Sequence, residues 1–238
     1  MKKIKRIQII PDATVKIIEH TPNPDKTVFL AARTAYSNKS WEKLLTEAEN
    51  EEKIKQFLEM LYQRGHHSVF EHASFTFLIE GCSRVCTHQL VRHRLASYTQ
   101  QSQRYAGAKG KFHLPDSIMN NPEAYKIAQE VIDFAAQKYN ELLDLGIHQE
   151  DARYLIPQAV TSRIVVTMNA RELLHFFELR TCMHAQKEIR MVAWKMLNEV
   201  KKIAPIIFAK AGPPCISRGV CHENDLTCPL YTRYVKDK

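Results

Sequence analysis

Glycine is scarce in this chain. There are seven in 238 residues, and none falls into G-x-G-x-x-G or G-x-x-x-x-G-K-[ST]. That excludes the dinucleotide fold and the P-loop, whose glycines let a backbone approach phosphate closely. A phosphorylated ligand must therefore be held by side chains. Long apolar runs are missing too: nothing approaches the roughly 20 residues a bilayer-spanning helix needs, so no membrane association is expected. The chain opens with the basic Lys2-Lys3-Ile4-Lys5-Arg6, but the apolar Ile7 to Ile10 stops at Pro11-Asp12. That run is too short for a secretory core, and a cytoplasmic protein is expected. Six cysteines (Cys82, Cys86, Cys182, Cys215, Cys221, Cys228) are too sparse and uneven for a disulfide framework, and most are read as reduced thiols.

What is present is a basic protein of ordinary globular composition, 45% hydrophobic, 25% charged and +8 in net charge. Surplus positive charge suits nucleic acid, a membrane surface or a phosphorylated small molecule. An RNA- or DNA-binding module would use Tyr98 and Tyr105 as stacking platforms. However, no RRM, KH or helix-turn-helix pattern occurs, and the arginines gather in one short stretch. No nucleic-acid partner is therefore expected.

Ile4 to Ile10 and Thr14 to Glu19 read as strands around the Pro11-Asp12 turn. Asn38 to Gly65 reads as helix, with Ile54, Phe57, Leu58 and Leu61 on one face and Gly65 just past the end. Ala73 to Ile79 alternates, placing Phe75, Phe77 and Ile79 on one side of a strand. A short helix from Cys82 to about Val91 delivers Arg92 to a loop. Asn121-Pro122-Glu123 starts a helix that Ile127, Val131, Phe134, Leu142 and Leu145 carry to Gly146. A short helical segment spans Asp151 to Ile156, and Ser162 to Met168 is a strand. Asn169 caps a further helix with Glu172 as its acidic N3 partner. Ile189, Val192, Ala193, Met196, Leu197 and Val200 stripe a last one, stopped near Pro205. The expected class is α+β: one domain, a mixed or antiparallel sheet packed with several long helices. Residues 1–212 form its body and 213–238 a cysteine-containing tail.

The most informative stretch runs from Gln89 to Tyr105. It holds Arg92-His93-Arg94, then seven residues, then Ser102, and contains no carboxylate. Guanidinium groups offer rigid forks of donors that match phosphate and carbonyl oxygens. If Arg92 to Arg94 is extended, the two arginines face one way and His93 the other. Like charges so close repel unless an anion joins them.

The pattern R-H-R-x₇-S resembles the defining motif of the flavin-dependent thymidylate synthases. So do His66-His67-Ser68-Val69-Phe70-Glu71-His72, Asn169-Ala170-Arg171, Leu179-Arg180 and His184-Ala185-Gln186. Arg153, ahead of Pro157, fits another family arginine. The resemblance spans roughly residues 28 to 205. It implies reductive methylation of dUMP to dTMP, with methylenetetrahydrofolate as carbon donor, FAD as redox cofactor and NADPH as reductant. Methylation of another uracil by the same chemistry is the variant reading.

The resemblance also implies site residues. FAD would be contacted by Ser68, Arg92, His93, Arg94, Gln100, Asn169, Arg171 and His175. For dUMP the set is Gln89, Arg92, Gln100, Gln101, Ser102, Gln103, Arg104, Arg153 and Arg180. Arg180 would stabilise ionisation at uracil N3, and His66 would lie beside the flavin; these are the catalytic assignments. Many family members carry a carboxylate where Gln100 stands, and Asn or His where His175 stands. A homotetramer with shared active sites is implied as well.

Ser102 has no evident base to activate it and is read as a ligand to dUMP rather than a nucleophile. Cys82, Cys86 and Cys182 are read as small buried hydrophobes. No metal is expected. His66, His67 and His72 lack a cysteine at ligand spacing; Cys215, Cys221, His222 and Cys228 could supply four zinc ligands, but their gaps are not those of common zinc motifs, and ordinary thiols are read ahead of zinc there.

Overall fold

The computed structural model describes residues 3–106 and 110–236. Helices and sheet are mixed, as the α+β reading expects. The strands are β1 (Gln8–Ile9), β2 (Thr14–His20), β3 (Ser74–Ser83), β4 (Ala96–Gln100), β5 (Lys111–Phe112) and β6 (Thr161–Asn169). Four of them form a sheet ordered β2-β3-β6-β4, while β1 and β5 pair in parallel. Hydrogen bonds at the strand ends show the antiparallel sense: Thr21 N–H to the Ser74 carbonyl, Ala170 N–H to Ala73, and Gln101 N–H to Arg163. β3 buries Phe75, Phe77 and Ile79 on one face, the face its alternation predicts.

The described residues fall into two compact units. The first takes the N-terminal segment through Thr14, Ile79–Arg92 and Tyr98–Val165; the second takes Val15–Leu78, His93–Ser97 and Val166 onward.

In the first unit, the long helix Pro122–Asp144 starts where predicted, its Asn121 side chain accepting from the Glu123 and Ala124 amides. Its buried face differs from the expected one. Ala136, Tyr139 and Leu143 pack with Ile4 and Ala152, and Ile132 packs with Phe112, Leu114 and Val160. Ile127, Val131 and Phe134, from the pattern read in sequence, are exposed. The two stripes lie about one residue, or 100°, apart around the helix. Tyr139 and Ala136 complete the inward stripe, and a pattern of large aliphatics misses both.

The second unit holds an aromatic core. Phe208 meets Phe75 at 5.5 Å and Phe177 at 5.9 Å, both edge to face. Helix Lys187–Ile203 buries all six residues of its predicted stripe. The expected helix from Asn38 to Gly65 is two, Trp41–Glu47 and Glu51–Gln63. Asn50 divides them: its side chain accepts from the Lys53 amide at 3.0 Å and restarts the helix. Gly65 (φ 75°) sits just past the second in the left-handed region. Helix Pro24–Tyr36 has no sequence counterpart above. The tail packs on its own unit: Arg218 and Ser217 reach Glu178 at 2.8 and 3.2 Å, and His184 reaches Asp225 at 3.0 Å.

Candidate active site

In the first unit, helix Arg84–Leu90 begins at Ser83, whose hydroxyl accepts from the Cys86 amide, and ends in the turn that presents Arg92. Arg92 is exposed, 3.4 Å from His88 Nε2. Gln100, at the end of β4, donates to the Thr87 hydroxyl at 3.0 Å. These elements line an open cavity whose polar side is Arg84, Thr87, His88, Gln100, Gln103 and Gln158 and whose apolar side is Val91, Ile156, Pro157 and Val160. Arg84 and Arg153 are both half-buried. Burial, and then the like charge of Arg153, lower the Arg84 pKa. Two guanidinium groups so placed favour an anion.

The Ser102 hydroxyl accepts from the Arg104 amide at 3.2 Å. Arg104 donates to Glu150, and Arg153 donates to the Glu150 backbone carbonyl at 3.0 Å. The motif read as free of carboxylates thus acquires one from 46 residues away. Of the residues assigned to dUMP, Gln100 and Gln103 line the cavity. Arg104 and Arg153 both reach Glu150, Ser102 is tied to the Arg104 amide, and Gln89 and Gln101 are half-buried. Arg84 and His88 line the cavity but were missed; they lie ahead of the R-H-R motif and carry no spacing signal of their own.

In the second unit, Asn169 ends β6 and caps helix Ala170–Arg180, accepting from the Glu172 amide at 2.9 Å. The cap is worth about 1 kcal/mol and sets the start of a helix carrying Arg171, His175 and Arg180. Arg171 pairs with Glu71 of the 3₁₀ segment His67–His72, which also carries Ser68. Ser68, Arg94, Arg171 and His175 are exposed. His66 stacks on Tyr36, whose hydroxyl lies 2.6 Å from its Nδ1.

His93 behaves differently. Only 5% exposed, its ring lies edge-on to Phe176 at 4.9 Å and 5.9 Å from His175. Arg92 and Arg94 are exposed on either side, but Arg92 lies in a turn and the tripeptide forms no strand, so the extended run supposed from sequence is not formed. Burial first, then Arg180 and His175, lower the His93 pKa to about 4. The ring is neutral, and its Nε2 accepts from Arg180 Nε at 3.1 Å. Burial raises the Glu172 pKa.

Among the described residues no three His, Cys, Asp or Glu side chains gather as a metal site. Cys215 and Cys228 are buried, and burial raises the Cys182 and Cys215 thiol pKa values.

The first unit thus gathers half-buried arginines with amides and hydroxyls on an α+β scaffold. Residues 16–206 match the family model described as thymidylate synthase complementing protein. The chain belongs to that family. It is 50% identical over 228 residues to the flavin-dependent thymidylate synthase of Pyrococcus abyssi, covering 90% of this chain and 91% of that protein. To the flavin-dependent thymidylate synthase of Geobacter sulfurreducens it is 45% identical over 217 residues, covering 90% and 93%. Among solved structures, the UMP/dUMP methylase PolB from Streptomyces cacaoi, bound with 5-Br dUMP, superposes with a TM-score of 0.76. That pair shares 28% identity over 85% of this chain and 96% of the other.

Proposed function

We propose that this protein converts dUMP to dTMP, using methylenetetrahydrofolate as carbon donor, FAD as redox cofactor and NADPH as reductant. The half-buried Arg84 that lines the cavity, its pKa lowered by burial and by the like charge of Arg153, is the observation that carries this reading. Cations held together in this way are relieved by a phosphate, and guanidinium forks match its oxygens. Gln100 and Gln103 offer the amides that orient a sugar and base, with Gln89, Gln101 and the Ser102 hydroxyl beside them. Arg92 and Arg104 add charge at the exposed edge.

Uracil C5 is a poor nucleophile until negative charge builds in the ring. Arg180 supplies a permanent, planar cation for the N3 and carbonyl edge. A preorganised donor of this kind lowers the barrier by roughly 3 to 4 kcal/mol. The donor set of the second unit suits FAD: Ser68, Arg94, Asn169, Arg171 and His175 present hydroxyl, amide, guanidinium and imidazole groups for a pyrophosphate and a polar ring edge, and His66 lies on the same unit. When bound, the flavin supplies hydride chemistry that no side chain can.

We assign a homotetramer with shared sites as the working form. The exposed Ile127–Val131–Phe134 stripe supports burial against another copy.

A second reading has its own support. The Streptomyces cacaoi methylase also has a structure with 5-Br UMP bound, at a TM-score of 0.74 and 29% identity to this chain. UMP is therefore the alternative acceptor. Purified protein given FAD, NADPH and the folate should turn dUMP into dTMP and leave UMP largely unchanged. Faster methylation of UMP would reverse the assignment, and inertness towards both would end it.

A further inference from the structure

One carboxylate near Arg180 has no part in the reading above. Glu172, Phe176 and Arg180 recur at every fourth position of helix Ala170–Arg180, so their side chains share one face. His93 lies along that face. Its Nε2 accepts from Arg180 Nε at 3.1 Å, its ring meets Phe176, and its Nδ1 stands 3.4 Å from Glu172 Oε1. Both His93 and Glu172 are buried. The helix cap engages the Glu172 backbone amide, while its carboxylate is directed at the imidazole.

We propose that Glu172 and His93 form a positioning relay: the Glu172 carboxylate fixes His93 in the Nδ1–H tautomer, and the Nε2 lone pair holds the Arg180 guanidinium in its working orientation.

The Arg180 donor at Nε2 and the carboxylate beside Nδ1 together favour this arrangement of protons. Arg180 always donates, because its guanidinium does not deprotonate. An Nε2–H tautomer, or an imidazolium, would set donor against donor at 3.1 Å. A neutral histidine has one donor and one acceptor nitrogen, so an acceptor at Nδ1 selects a lone pair at Nε2. The lowered His93 pKa agrees, since burial, Arg180 and His175 all disfavour the charged ring. Orientation of a reacting group through the second nitrogen of a histidine follows the logic by which outer partners orient metal-bound imidazoles. Neither His93 nor Glu172 need touch the substrate.

The relay rests on the functional reading for its consequence, but its geometry can be read without turnover. ¹⁵N-histidine NMR of the full-length protein, with the His93 signals assigned by their loss in His93→Gln, should show a neutral Nδ1–H ring at pH 7. Glu172→Leu, close in volume but without an acceptor, should give a tautomer mixture. It should also cut kcat for dUMP about 30-fold, with KM for dUMP within about twofold. Glu172→Gln, whose amide oxygen can still accept, should keep the tautomer and lose only about threefold. An Nε2–H ring in the wild type, or Leu and Gln variants with equal kcat, would overturn the relay. A wild-type chain inert towards dUMP would sink the functional reading instead, while the tautomer would still decide the relay.

Discussion

Arg104 donates through Nε to Glu150 at 2.8 Å, joining the R-H-R-x₇-S stretch to the short helix Gln149–Ala152. The pair is exposed, so its role is to aim a side chain rather than to hold the fold. Glu150 raises the Arg104 pKa and keeps it charged throughout the working range. Arg104→Gln should leave the melting temperature unchanged and raise KM for dUMP about tenfold, the loss of one charged phosphate contact. Steady-state kinetics beside a thermal melt check this.

Arg180 should behave in the opposite way. Arg180→Gln removes a donor needed where charge develops on the base, so kcat should fall about 10² to 10³-fold. Equilibrium dUMP binding should change by less than about threefold, because the role proposed for Arg180 is in the chemical step. Titration of dUMP into the variant, alongside single-turnover rates, separates the two effects.

A pH effect on stability follows from His93. Its folded pKa of about 4 lies below its ordinary 6.5, so protons bind preferentially to the unfolded chain. Its contribution is complete above pH 6.5, declines as pH falls towards 4, and changes no further below. The amount is on the order of 3 kcal/mol. Glu172 acts with the opposite sign: its raised pKa contributes stability below the ordinary carboxylate value, lost as pH rises through its folded one. Urea melts between pH 4 and 7 should give a stability that rises with pH, with a shallower rise in His93→Gln.

The exposed stripe of helix Pro122–Asp144 makes a further prediction. Phe134→Glu places a charge on a side chain that is already 62% exposed, so the isolated chain should fold normally. Light scattering should show a tetramer for the wild type and smaller species for the variant. An unchanged tetramer would place the interface elsewhere.

What could be read from sequence was mostly local. The β3 alternation, the Asn121 and Asn169 caps and the stripe of helix Lys187–Ile203 depend on neighbours within one element. Helix Pro24–Tyr36 escaped because Asn23 enters it in the left-handed conformation (φ 44°) without a side-chain cap. The facing of helix Pro122–Asp144 escaped because Ala136 and Tyr139 do inward work that large aliphatics usually do. At the site, the arginines stand out by motif, but the carboxylates that orient them do not. Glu150 and Glu71 reach Arg104 and Arg171 across 46 and 100 residues, and no local pattern encodes such partners. Glu172 was visible only as a helix-cap residue, although its side chain points at His93.

The most direct test of the account follows the hydrogen on uracil C5. Purified protein with FAD, NADPH, methylenetetrahydrofolate and dUMP tritiated at C5 should release tritium into water in step with dTMP, and only when all four are present. A protein that binds flavin and dUMP yet keeps the label on the pyrimidine would contradict it.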